Sequence, residues 1–119
     1  MVVKCIKIFD SKRNIIEYSN WIKLGGVYTV LEIYYEQNKN IMYRIITEDN
    51  GVPALFEHDM FEVLNGIIPD NWVVYSKMSH CITIGPEAWS NDDFWESYFN
   101  VEKSAIECYN QEVKKILDF

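Results

Sequence analysis

Apolar and polar residues alternate in short runs over the first two thirds of the chain, and the period then changes. Val2-Val3-Lys4-Cys5-Ile6-Lys7-Ile8-Phe9 is short and rich in β-branched residues, the pattern of a strand. Asp10-Ser11-Lys12-Arg13-Asn14 is a polar turn, and Ile15 to Trp21 fits either a short helix or an extended segment. Lys23-Leu24-Gly25-Gly26 turns the chain into Val27–Tyr35, the clearest strand in the sequence. Gln37–Asn40 connects this strand to a returning one, Ile41–Thr47. Asp49-Asn50-Gly51 signals a tight turn, because Asn and Gly tolerate positive φ. Further short strands are expected at Pro53–Phe56, Met60–Leu64, Trp72–Tyr75 and His80–Ile84, with a turn at Asn65-Gly66. Strands of this length with Gly and Asn punctuation predict a small, strongly bent antiparallel sheet or a barrel.

The end of the chain reads differently. Asn91 or Asp92 is placed to cap a short helix running through Tyr98. Val101, Ala105, Ile106, Tyr109, Val113, Ile116 and Leu117 then lie on one face at helical spacing, with Glu102, Lys103, Glu107, Glu112 and Lys114 outside it. This predicts an amphipathic helix over 101–117 that packs on the sheet. The expected fold class is therefore α+β: a bent sheet or small barrel, a short helix and a C-terminal helix, in one domain of 119 residues. A chain of this size buries a core without disulfide or metal staples.

Charge narrows the function classes. Net charge is −7, and the imbalance sits late. Residues 1–60 carry seven basic and eight acidic side chains, whereas residues 61–119 carry four and ten. Such a surface repels phosphate backbones and argues against direct nucleic-acid binding. It steers instead toward basic proteins, although the same charge also serves solubility alone. Cys5, Cys81 and Cys108 are odd in number and lack CxxC spacing, which points to free thiols in a reducing, cytoplasmic setting. The lysines near Met1 are unlike a signal peptide, and no apolar run reaches the ~20 residues of a membrane span.

Candidate chemistry concentrates in Gly85–Phe99, where five aromatic residues and four carboxylates share fifteen positions with no Lys or Arg. Asp92, Asp93 and Glu96 fall on one turn of the short helix. They suit either the positive end of a helix or the cations of a partner. Trp89 and Trp95 flank them as candidate anchors inside an acidic rim, with Glu87 beside them. Glu87, Trp89, Asp92, Asp93, Trp95 and Glu96 are thus the candidate partner-binding residues. The competing structural reading has Trp95, Phe94 and Phe99 filling the seam between helix and sheet, with at least one Trp and one Phe in the core.

No catalytic motif accompanies this segment. His80-Cys81 pairs a base with a nucleophile, but neighbours on a strand point to opposite faces and would not meet. Glu57, His58 and Asp59 could hold a metal, yet no HExxH, CxxC or EF-hand loop supports them. There is no GxGxxG or Walker loop, and Gly25-Gly26 is explained by a turn. A binding protein without catalytic residue, cofactor or metal is the expectation.

Several pieces of the chain together carry a family resemblance. They are Leu24-x-x-Val27-Tyr28-x-Val30-Leu31-x-Ile33 and Tyr43-Arg44-Ile45-Ile46-x-x-Asp49-x-Gly51-x-Pro53-x-Leu55-Phe56. Phe61-Glu62-Val63, Ile68-Pro69-x-x-Trp72, Gly85-Pro86-x-x-Trp89 and Phe94-Trp95-Glu96-x-Tyr98-Phe99 follow, closed by Ala105-Ile106 and the helix to Ile116. Over residues 24–117 the chain resembles small immunity proteins of bacterial toxin systems, including contact-dependent growth inhibition and other polymorphic toxins. Leu24 to Val63 also looks like an SH3-like barrel. The resemblance implies a cytoplasmic protein that occludes the active site of a basic cognate toxin domain, often a nuclease, by binding alone. It carries no catalytic residues over. Three other readings remain open: a phage-encoded acidic inhibitor that mimics DNA, an SH3-like adaptor using Tyr28, Tyr34, Tyr35 or Trp72, and a small enzyme or ligand-binding module with a polar pocket.

Overall fold

The ten-residue strand β4, Val27–Glu36, organises the sheet. One of its edges is shared. The first part pairs antiparallel with β1 (Val2–Cys5), placing Val3 opposite Tyr28. The last part pairs antiparallel with β9 (Cys81–Pro86), placing Glu36 opposite Cys81. The other edge takes β5 (Met42–Ile46), which continues to β6 (Pro53–Glu57). In this computed structural model, which describes residues 1–119, β7 (Phe61–Asn65) pairs with β1, and β8 (Trp72–Tyr75) pairs with β9. The order is β6-β5-β4-β1-β7, with β9 attached along β4 and β8 on the far side of β9. A separate ribbon joins β2 (Ile8–Phe9) to β3 (Ile15–Ile16).

The α+β class holds, but the sheet is not a closed barrel. A single 3-10 turn, His58–Met60, carries β6 into β7, and no ladder joins the two strands. The first predicted strand also breaks in two. The amides of Ile6 and Lys7 both turn to the Met60 carbonyl, at 2.9 and 3.3 Å, instead of continuing the ladder. The turn at Asn50-Gly51 forms as expected, with both residues at positive φ.

Val30, Leu31 and Glu32 are all buried, and the β4–β5 register shifts between Val30 and Glu32. A bulge of this kind twists the strand, and both faces of β4 are covered at its middle. Helix α2, Lys103–Asp118, packs against β4 and buries Ala105, Tyr109, Glu112 and Ile116, a single stripe at helical spacing. Helix α1, Phe94–Phe99, packs on α2. The core is continuous from Val3, Ile45 and Phe61 in the sheet to Trp89, Phe94 and Tyr109 beneath the helices.

The join between the helices corrects the predicted start of α2. Val101 is not helical: its φ is 61°, in the left-handed region, and its side chain is 76% exposed. Its amide donates to Tyr98 O and that of Glu102 to Ser97 O, both at 3.0 Å, so the pair closes α1 in a Schellman turn. That position ordinarily takes glycine, because a β-carbon there costs ~1–2 kcal/mol. Val101→Gly is therefore expected to stabilise the protein by about 1 kcal/mol, relief of strain outweighing the extra chain entropy of glycine. Denaturant unfolding of the two forms measures this, and an unchanged or lower midpoint contradicts it.

Candidate functional site: an acidic rim over a buried aromatic cluster

The acidic aromatic segment divides between inside and outside. Pro86 leads from β9 into a 3-10 turn, Glu87–Trp89, which swings Trp89 under the helices. Trp89 is 0% exposed, stacked on Phe94 and Tyr109 at ring-centroid distances of 5.7 and 5.6 Å. This corrects the expectation of Trp89 as a partner anchor: no partner reaches it, because the apolar floor of α1 and α2 closes over it. Trp95 sits at the edge of the same cluster, half-buried, with its ring edge-on to Phe94 and to Trp89 at 4.9 and 5.2 Å. The indole N–H groups of Trp89 and Trp95 and the Tyr109 hydroxyl find no acceptor within the chain, so ring packing holds the cluster.

Glu87, Asp92, Asp93 and Glu96 are exposed around it. Glu87 opens the 3-10 turn, Asp92 and Asp93 lie in the turn before α1, and Glu96 lies in its first turn. Neither Asn91 nor Asp92 caps the helix, which starts at Phe94 after Asp93 without a side-chain cap, but Asn91 shapes the turn before it. Its side-chain oxygen accepts from the Asp93 amide at 3.1 Å and its carbonyl from the Phe94 amide at 3.0 Å. None of the four carboxylates has a cation within ion-pair distance in the chain.

Beneath Trp95 lies a feature the sequence reading passed over. Glu32 on β4 and Arg44 on β5 are cross-strand partners, and Arg44 Nε donates to Glu32 Oε1 at 2.7 Å. Both are buried, Glu32 to 2% exposure. The Arg44 guanidinium lies 3.9 Å from the centroid of the Trp95 ring. The other Glu32 oxygen accepts from the Tyr75 hydroxyl at 3.4 Å, and burial raises Tyr75 so that it remains a donor. Gly85 lets β9 close against this pair, since a β-carbon there would stand 2.9 Å from that of Glu32. The pattern that marks the pair is a lone charge within each of two apolar strands, Leu31-Glu32-Ile33 and Tyr43-Arg44-Ile45.

The pair forms the floor of a cleft of about 210 Å³, lined also by Tyr34, Lys77, Asp92 and Trp95. Burial lowers the Lys77 ammonium, against the opposing fields of Glu32, Asp92 and Asp93. A larger hollow of about 380 Å³ lies around the Glu17–Leu24 loop, away from the acidic segment. Of the aromatics an adaptor groove would use, Tyr28 and Trp72 are buried, Tyr34 is half-buried and Tyr35 is exposed, so they do not share one surface.

The two histidine groups have different surroundings. Glu57 and Asp59 both pair with Arg13, so this carboxylate pair is a tie between the β2–β3 ribbon and the β6–β7 turn. His80, by contrast, does meet Cys81. It lies in the turn before β9 rather than on the strand, and its ring, the Cys81 sulfur and a Glu36 carboxylate oxygen lie within 4.8 Å of one another.

Comparison with protein-family models, with curated proteins and with solved structures finds no match to this chain. No helix is long and apolar enough to cross a membrane.

The geometry predicts an asymmetric response around the buried pair. Arg44→Met strands the Glu32 carboxylate and should cost ~3–5 kcal/mol, whereas replacing both partners with Met should cost much less. Equilibrium unfolding of single and double variants tests this. A double variant as unstable as the single would show that the pair itself, not the stranded charge, carries the stability.

Proposed function

We propose that this chain is an immunity protein, a cytoplasmic, non-catalytic inhibitor that binds and neutralises a basic cognate toxin domain, in keeping with its sequence resemblance to such proteins. The observation that carries the reading is the set of four exposed carboxylates, Glu87, Asp92, Asp93 and Glu96, without an ion-pair partner in the chain and mounted on a packed aromatic base. Unpaired surface carboxylates are free to meet Lys and Arg of a partner. A rigid mounting lowers the ordering cost of doing so.

In this reading Trp95 contributes through its exposed edge, and Trp89 acts from below as support. Long-range attraction by the net charge of −7 speeds encounter, and close contacts around Trp95 and the carboxylates slow release. A nuclease domain is a suitable target class, since its phosphate-binding cations would be met by this rim. Occupation of those cations by carboxylates would block substrate without any chemistry by the inhibitor.

The test uses the protein and the toxin domain encoded beside it. A stoichiometric complex that suppresses toxicity in cells is the expected result. The triple variant Asp92→Lys, Asp93→Lys, Glu96→Lys should then slow association about tenfold or more and flatten its dependence on salt. Association of the triple variant at the wild-type rate would remove these carboxylates from the interface.

A further inference from the structure

The geometry points to a transition-metal site, of the kind that takes Zn²⁺, formed by Glu36, His80 and Cys81 at the point where β4 meets β9. Glu36 and Cys81 are directly opposite each other across the antiparallel ladder. The Gln37 amide donates to the His80 carbonyl at 2.8 Å, which extends the pairing one residue further and fixes the backbone of all three ligands. A ring nitrogen, a sulfur and a carboxylate oxygen converge within 4.8 Å.

The spacing suits tetrahedral coordination. Zn–S and Zn–O bonds of about 2.3 and 2.1 Å at a tetrahedral angle place S and O about 3.6 Å apart. The Cys81 sulfur and Glu36 Oε1 are 3.7 Å apart. Only His80 has to close in, and it is exposed and in a turn. The other Glu36 oxygen is taken by Lys39 Nζ at 2.7 Å, which leaves Oε1 aimed at the sulfur. The Tyr34 hydroxyl stands 3.3 Å from both the sulfur and Glu36 Oε1. Its hydroxyl donates to that carboxylate oxygen, the kind of outer contact that orients a ligating carboxylate.

Thiolate, imidazole and carboxylate together favour Zn²⁺ over Mg²⁺ or Ca²⁺, which prefer all-oxygen shells. On binding, the thiol proton leaves to solvent and the thiolate takes its place on the metal. Three protein ligands leave the fourth position to water. The site clips the loop between β8 and β9, which Ser76 already ties through its hydroxyl to the Met78 and Cys81 carbonyls, onto the end of β4. Cys81 and Tyr34 also line the cleft below Trp95, so the metal would brace one wall of it.

Cobalt titration of the full, reduced chain is the direct test, because four-coordinate Co²⁺ bound to thiolate has a near-ultraviolet charge-transfer band. One Co²⁺ per chain with that band, displaced by Zn²⁺, is expected. The melting temperature should rise by about 10 °C at a hundredfold excess of Zn²⁺ over its Kd. Cys81→Ser should abolish the band. His80→Ala, an exposed turn substitution that leaves the core untouched, should weaken binding ~100-fold or more, at or above the loss typical of ligand-orienting partners. Absence of the band in the wild type, or a band of unchanged affinity in His80→Ala, overturns the site.

Discussion

The buried pair of Glu32 and Arg44 is the interaction on which the rest of this structure depends. Two opposite charges side by side in a sheet interior are tolerated only when each answers the other and the remaining polar atoms are met. Here the second carboxylate oxygen turns to Tyr75, and the face of the guanidinium is covered by Trp95. Three constraints follow. The cross-strand register of β4 and β5 must place the two residues opposite each other. Strand β9 must carry glycine at position 85 so that it can approach Glu32. Helix α1 must bring Trp95 over the guanidinium. The pair thereby links sheet and helices through one charged point.

The same arrangement explains how an acidic segment coexists with a core. Between Gly85 and Phe99 the aromatic rings and the carboxylates alternate in sequence but separate in space. The 3-10 turn sends Trp89 inward, the α1 turn sends Phe94 inward three residues after Asn91, and the intervening carboxylates are left outside. These carboxylates stand on packed rings and none forms an ion pair within the chain, although Asp92 shares a cleft with Lys77. In the proposed reading, this surface serves charge-steered association with a basic partner.

Much of the fold was legible in the chain. Hydrophobic alternation located the strands from Val27 onward, Asn50-Gly51 located a turn, and the stripe through Ala105, Tyr109 and Ile116 located the last helix, because each of these signals is local. The exceptions were equally physical. Val101 suited the helical stripe, yet its backbone was needed to close α1. Ile6 and Lys7 suited a strand, yet the Met60 carbonyl captured both amides. The closed barrel failed because whether β6 and β7 pair with each other is decided by the path of the connecting 3-10 turn, not by either strand.

For the candidate site, the sequence by itself determined the charge, the concentration of carboxylates in Gly85–Phe99 and the presence of rings among them. These are properties of composition and survive any folding of the chain. Only the tertiary structure decided that Trp89 is core while Trp95 reaches the edge, that Glu32 and Arg44 meet, and that His80, Cys81 and Glu36 converge. Each of those depends on contacts between residues far apart in the chain, twelve positions for Glu32 and Arg44 and forty-five for Glu36 and Cys81. Which side a ring faces is fixed by what packs against it, and the register of a ladder is fixed by its partner strand. Neither is written in the local pattern of any one segment.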